Sequence, residues 1–140
     1  EERNRKIKTR TNWFYKQMIK GFEEYTYELT EDELLMVDKI IKGLSPKLGK
    51  EKAVTSTVIC KAINISAPRL RKLINYIRIT NQLPGLCSCK NGYFVSKSLE
   101  EIEDYIISLK QRIKSQVDVL NCIESQTILW GGSGQLSLFE

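Results

Sequence analysis

SAPRLRKLINYIRITN, residues 66–81, predicts a single amphipathic helix, and the other segments are predicted from their relation to it. Ser66 is of a residue type that caps helix N-termini, and Pro68 lies in the first turn, where a missing backbone N–H costs little. Apolar side chains recur at helical spacing and make one stripe: Leu70, Leu73, Ile74 and Ile77. The helix is therefore expected to pack on a core through this stripe and to expose its opposite face.

The expected exposed face is rich in groups that suit DNA phosphates and base edges. It carries Arg69, Arg71, Lys72, Asn75, Tyr76 and Arg78. We predict base contacts from Arg69, Lys72, Asn75 and Tyr76, and phosphate contacts from Arg71, Arg78, Lys61, Lys50 and Lys90. The alternative for an isolated basic helix is a solvated surface without a ligand.

The neighbouring segments predict a helix-turn-helix followed by a β-hairpin. Upstream, STVICKAIN (56–64) predicts a short helix capped by Thr55 or Ser56, and Val54 could add a strand residue. Its inward positions are expected to be Val58, Ile59 and Ala62. Downstream, LCSC and YFV flank Lys90-Asn91-Gly92, and Asn-Gly between such runs is a strong hairpin signal.

Two capping boxes predict further helices. Residues 30–33, TEDE, open a helix that is expected to run through Lys42 and stop at Gly43, and residues 98–101, SLEE, open the longest helix, to about Ser125. This last helix has an apolar stripe: Ile102, Tyr105, Ile106, Leu109, Ile113, Val117, Leu120 and Ile123. Two partners stay open for it, either a second copy of the chain through residues 98–126 or a predicted N-terminal helix at residues 11–25.

The net charge of +5 is distributed in blocks. Seven basic residues and no acidic one lie between Arg3 and Lys20, and no Asp or Glu occurs from Lys52 to Leu99. By contrast, residues 98–140 contain seven acidic and three basic residues. Concentrated positive charge is an electrostatic footprint for a polyanion.

Composition argues against several classes of protein. The chain has no His and four irregularly spaced Cys, so we expect no metal, no cofactor and reduced thiols in the cytoplasm. Without His or a phosphate-binding loop, the sequence is not expected to be an enzyme. No apolar run is long enough to span a membrane, and no membrane partner is expected.

The pair ISAPRLRKLINYIR and LCSCKNGYFV resembles the winged-helix domains of phage and mobile-element proteins, over roughly residues 30–125. The resemblance implies a winged helix-turn-helix, which is mainly α with a small β-hairpin. Together with the N-terminal and C-terminal helices that the pattern predicts, the expected fold class is mainly α. The resemblance also implies that the hairpin is a wing, whose tip residue Lys90 could reach DNA. Winged helices serve many roles, so the resemblance alone leaves the function open.

The C-terminus carries a second motif, QLSLF, after the flexible segment GGSG at residues 131–134. QLSLF resembles the peptide by which bacterial polymerases, mismatch-repair proteins and an initiator-regulating ATPase bind the replicative sliding clamp. The resemblance implies a clamp-binding site formed by Gln135, Leu136, Ser137, Leu138 and Phe139. In such a peptide, apolar side chains enter a pocket and the amide satisfies polar groups at its rim. The alternative is that these apolar residues pack back on the protein itself.

We therefore expect four segments: a basic arm and N-terminal helix (1–29), a winged helix-turn-helix (30–97), a long helix (98–126) and a tail (127–140). The predicted function is duplex DNA binding coupled to sliding-clamp binding, in DNA replication or its control, on the nucleoid. The alternatives are a dimeric winged-helix transcriptional repressor and a winged-helix protein-interaction module.

Overall fold

The computed structural model describes residues 28–131. The chain divides into two compact units, and the boundary in the sequence lies between Glu101 and Ile102. The described chain is mainly helical, with a two-stranded antiparallel hairpin and a long C-terminal helix. Its elements are α1 (Glu31–Leu44), α2 (Ser56–Ile63), α3 (Ala67–Ile79), β1 (Leu86–Cys89), β2 (Gly92–Val95) and α4 (Leu99–Ser125). Short 3-10 helices lie at Lys50–Lys52 and Gln126–Trp130.

The predicted capping box at the start of α1 is confirmed. The Thr30 hydroxyl accepts from the Glu33 N–H at 3.2 Å, and the Glu33 carboxylate accepts from the Thr30 N–H at 3.3 Å. The helix runs through Gly43 to Leu44, two residues beyond the predicted end. Ser45 closes it, since both its N–H and its hydroxyl donate to the Ile41 carbonyl. Gly43 therefore does not stop the helix.

The core of the first unit is formed by α1, α2 and α3 together with the start of β1. Its buried side chains include the whole predicted stripe of α3: Leu70, Leu73, Ile74 and Ile77. In α2 the prediction was wrong in part, because Val58 is 56% exposed and Ala62 is also exposed. A helix of two turns can bury only one narrow face, and Ile59 occupies its centre.

A tight connection links α2 to α3, as predicted. Asn64 adopts a left-handed conformation with φ of 54°, which ends α2. The Ser66 hydroxyl then accepts from the Arg69 N–H at 3.4 Å and caps α3, with Pro68 in the first turn. The chain thus passes from one helix to the next within three residues.

The hairpin is held by a third backbone segment. Residues Leu86 and Val95 face each other across β1 and β2, and Lys90 and Asn91 make the turn. Val54 pairs antiparallel with Tyr93 through two backbone hydrogen bonds of 2.8 and 2.9 Å, which confirms its predicted strand role. Gly92 has a φ of 115°, and a Cβ there would lie 2.0 Å from the Val54 carbonyl oxygen. Only glycine allows this close crossing.

The second capping box is half formed at the start of α4. The Ser98 hydroxyl accepts from the Glu101 N–H at 3.3 Å, as expected. The Glu101 carboxylate instead accepts from the backbone N–H groups of Lys97, at 2.9 Å, and Lys50, at 2.7 Å. Glu101 thus ties the first turn of α4 to the 3-10 helix at Lys50–Lys52.

In the second unit, α4 continues from Ile102 to Ser125 and none of its side chains is buried. The predicted tail begins with a 3-10 helix, which Gly131 ends with a φ of 94°. Of the predicted basic arm and N-terminal helix (1–29), residues 1–27 lie outside the described residues. Within residues 28–131, no helix is both long enough and apolar enough to cross a membrane.

Candidate nucleic-acid interface

The exposed side of α3 lies opposite its buried stripe. Pro68, Arg71 and Asn75 follow one another at steps of three and four residues, and all three are exposed. Residues at these steps share one helix face. Because Leu70 and Leu73 on the other side have no exposed surface, packing fixes the orientation of this face. The helix therefore presents a guanidinium and an amide next to each other on a rigid support.

Two further cations of α3, Arg69 and Lys72, are bound to a buried carboxylate of α1. The Lys72 ammonium lies 3.2 Å from one Glu33 oxygen and 3.4 Å from the other, and Arg69 Nε lies 3.7 Å away. The Glu33 side chain is only 4% exposed, whereas those of Arg69 and Lys72 are 47% and 38% exposed. The charged groups of Arg69 and Lys72 thus contact Glu33 of α1, while both side chains remain partly exposed to solvent.

The pKa of Glu33 is lowered from its ordinary value. Burial raises the pKa, but the hydrogen bond from the Thr30 N–H, the hydrogen bond from Lys72 and the charges of Lys72 and Arg69 outweigh it. Glu33 is therefore ionised at neutral pH, and it partly compensates the positive charge on this side of α3. The sequence pattern predicted Glu33 as the partner of Thr30 in a capping box. Its ion pairs with Arg69 and Lys72 depend on the packing of α1 against α3, which the sequence pattern does not specify.

Tyr76 is not part of the exposed face, and its predicted base contact was wrong. Its side chain has no exposed surface and belongs to the core cluster. On the helix it lies at the border between the apolar stripe and the cationic face, on the side of Arg69 and Lys72. Tyrosine suits either environment, so residue type could not decide its burial.

Arg78 also differs from its prediction as a phosphate ligand. Its Nε donates to the Leu86 carbonyl at 3.0 Å, and its guanidinium lies over the Tyr93 ring, 5.7 Å from the centroid. One of its terminal nitrogens, Nη2, is buried. Arg78 thus joins the end of α3 to the hairpin, and its role is structural.

The remaining predicted phosphate ligands are exposed but lie on separate elements. Lys61 is on α2, Lys90 is in the hairpin turn and Lys50 begins the 3-10 helix. The backbone around Lys90 is fixed by the Val54–Tyr93 pairing, and the Lys50 N–H is fixed by Glu101. These three ammonium groups therefore extend from ordered backbone.

The clamp-binding residues predicted from the sequence lie outside the described residues. They are Gln135, Leu136, Ser137, Leu138 and Phe139.

Within residues 28–131, no three His, Cys, Asp or Glu side chains are grouped so that they could hold a metal ion. Of the cysteines, Cys87 is buried, and burial raises the pKa of its thiol.

Comparisons of the chain with protein-family models, with curated proteins and with solved structures found no match. Any assignment of function must therefore come from the residues and their arrangement.

Proposed function

We propose that the protein binds duplex DNA through a winged helix in which α3 is the recognition helix and the β1–β2 hairpin is the wing. The order of elements supports this: a helix, a bridging strand residue at Val54, two helices joined by a tight turn, and a hairpin. In such domains the second helix of the pair enters the major groove and the hairpin contacts the flanking backbone.

The observation that carries the proposal is the exposed face of α3, with Arg71 and Asn75 presented from a rigidly packed helix. Arginine pairs with guanine, asparagine pairs with adenine, and both fit phosphates. We assign base contacts to Asn75, Arg69 and Lys72, and phosphate contacts to Arg71, Lys61, Lys50 and Lys90. Tyr76 and Arg78 are left out because both serve the fold.

The first test is the affinity of the full chain for a fluorescently labelled random-sequence duplex, measured by anisotropy. Arg71→Ala should weaken binding about fivefold or more, and it should reduce the salt slope by about one. Lys39→Ala is the matched control, since it removes one positive charge from an exposed site on α1 and should change the affinity less than about twofold. Equal effects of the two variants would mean that binding depends only on net charge. That result would contradict the assignment of DNA binding to the exposed face of α3.

We further propose that the C-terminal QLSLF peptide binds the bacterial replicative sliding clamp, which places the protein in DNA replication or its control on the nucleoid. The support is the sequence: Gln135, Leu136, Leu138 and Phe139 match the clamp-binding pattern and follow a Gly/Ser segment. Gly/Ser-rich sequences have the composition of flexible linkers, and a linker of that kind would let the peptide reach its pocket while the first unit is bound to DNA.

The clamp proposal is tested by pull-down with purified bacterial sliding clamp. The full chain should be retained, while the chain ending at Gly134 and the double variant Leu138→Ala, Phe139→Ala should be lost. Ser137→Ala is the control, since it keeps the apolar side chains and should still bind. Equal retention of all four proteins, or of none, would contradict the assignment.

A dimeric repressor is the second candidate, and the exposed apolar residues of α4 favour it. A repressor of this kind would bind DNA in the anisotropy experiment but would not be retained by the sliding clamp in the pull-down. A protein-interaction module would bind DNA weakly, without the steep salt dependence that phosphate contacts impose.

A further inference from the structure

The long helix α4 carries apolar side chains in a strict heptad pattern. Positions alternate at steps of three and four residues along one line: Leu99, Ile102, Ile106, Leu109, Ile113, Gln116, Leu120 and Ile123. Seven of the eight are Leu or Ile. An average spacing of 3.5 residues keeps such a line facing one partner helix, whereas packing on a globular core follows a period of 3.6.

Within residues 28–131, six of the eight positions of this line are exposed, and Ile102 and Leu120 are half-buried. Ile106 is 41% exposed, Ile113 45% and Ile123 57%. A contiguous apolar surface of this kind marks an interaction site. The adjacent outer positions carry charges in part, such as the Lys114–Asp118 ion pair at 2.7 Å.

We propose that the line is covered by α4 of a second copy, in a parallel, in-register coiled coil. Length favours a partner as long as α4 itself, because its 27 residues extend about 40 Å at 1.5 Å per residue. The other apolar segment of the sequence, residues 11–25, would extend only about 22 Å as a helix. It could cover about half of the line, so the remaining layers would stay exposed.

The position of Gln116 indicates the orientation. In the heptad, Gln116 occupies a d position, and the a positions are Leu99, Ile106, Ile113 and Leu120. In an antiparallel pair each d residue faces an a residue, so the amide would be buried against Leu or Ile without a partner, at a cost. In a parallel, in-register pair Gln116 faces its own copy, and the two amides can hydrogen-bond to each other. A single buried polar layer of this kind selects register in coiled coils.

The flanking positions allow this arrangement without like-charge contacts. In a parallel pair each g residue faces the e residue five positions further on the partner. Here Tyr105 meets Lys110, Arg112 meets Val117, and Val119 meets Glu124. None of these pairs brings two like charges together, and none joins opposite charges. The flanking positions therefore do not oppose the dimer, and the apolar layers are what stabilises it.

The test is sedimentation equilibrium of the full chain over a concentration series. We expect a species of twice the 16.2 kDa chain mass that dissociates on dilution. Ile113→Asp should weaken the dimer about a hundredfold or more, because it buries two carboxylates in one layer. Ile107→Asp is the matched control: Ile107 lies on the same helix with 54% exposure but off the line, so the dimer should persist. A wild-type monomer at high concentration, or equal effects of the two variants, would overturn the proposal.

Orientation is tested by disulfide formation. Leu109→Cys lies at a d position and leaves Gln116 in place, so it should cross-link two copies rapidly under mild oxidation. Ser115→Cys, on the outer face, should cross-link no faster than the wild-type chain with its own cysteines. A dimer in which both variants react equally would overturn the parallel register. Because the readout is self-association, it does not depend on DNA or clamp binding, and its failure would leave those proposals standing.

Discussion

The Glu33 side chain makes two kinds of contact in this fold. It completes the capping box of α1 with Thr30, and it binds Arg69 and Lys72 on α3. An ionised carboxylate this buried would be costly without partners. Its partners here are the Thr30 N–H and the side chains of Lys72 and Arg69. The Glu33 side chain therefore links α1 to α3.

Glu33→Gln isolates the ionic part of this contact, because glutamine can still complete a capping box. We expect a loss of about 1 kcal/mol in the free energy of unfolding at pH 7, since both cations are partly solvated. The folded pKa of Glu33 is lowered, so its contribution is present above the ordinary carboxyl pKa and is lost as pH falls through the folded value. Urea unfolding of wild type and variant should therefore converge on acidification.

The control for this prediction is Glu31→Gln, which changes an exposed acidic residue in the same helical turn. If Glu33→Gln shows the same difference from wild type at pH 7 and at a pH low enough to protonate the folded Glu33 carboxyl, the ion pairs contribute no stability.

Tyr76 and Asn75 are neighbours with opposite expected phenotypes. Tyr76→Ala should cost about 3–4 kcal/mol of stability, because it leaves a cavity in the core, whereas Asn75→Ala should stay within about 0.5 kcal/mol. In DNA binding the order reverses, with Asn75→Ala weakening affinity while the fold is kept. Thermal unfolding and anisotropy on both variants check this. A stable Tyr76→Ala protein with lost DNA binding would contradict the burial of the ring.

Among the secondary-structure elements, the hairpin depends on the close approach of the Gly92 backbone to the Val54 carbonyl group. Gly92→Ala should destabilise the protein by about 2–4 kcal/mol, because the added Cβ meets the Val54 carbonyl oxygen and the positive φ disfavours alanine. Gly43→Ala is the control, since it lies in α1 with open space around it and should stabilise by about 0.5–1 kcal/mol. Denaturant midpoints measure both. A tolerated Gly92→Ala would contradict the pairing of Val54 with Tyr93.

The elements themselves were largely predictable from local signals. The Thr30 cap, the Ser66 cap and the Lys90 turn depend on neighbouring residues, and the structure shows each of them. Long-range contacts were not predictable in this way. Arg78 turns to the Leu86 carbonyl and Glu33 reaches across to Lys72 because of how the helices pack, which no local pattern specifies.

The same limit applies to the candidate site. Exposure of Arg71 and Asn75 followed from helical periodicity, since they lie far from the apolar stripe on the helix surface. Tyr76 lies at its border, where a small rotation of the helix decides burial. Val58 lies on a helix too short for its pattern to be decisive.

For the whole molecule, charge and apolar surface are divided between two parts. The first unit contains all basic residues of the acid-free block from Lys52 to Leu99, and α4 carries the exposed heptad line. We therefore propose that the first unit binds the polyanion and that the second unit self-associates. A coiled-coil dimer would give each particle two DNA-binding units, which raises avidity for DNA through effective concentration.

DNA binding through α3 and the hairpin can be mapped by two-dimensional amide NMR on the full, isotope-labelled chain. Addition of a duplex should shift the amides of α3 around Arg71 and Asn75 and those of the hairpin turn around Lys90, with little change at the outer face of α4. Shifts concentrated on α4, or an unchanged α3 at saturating DNA, would contradict the proposed interface.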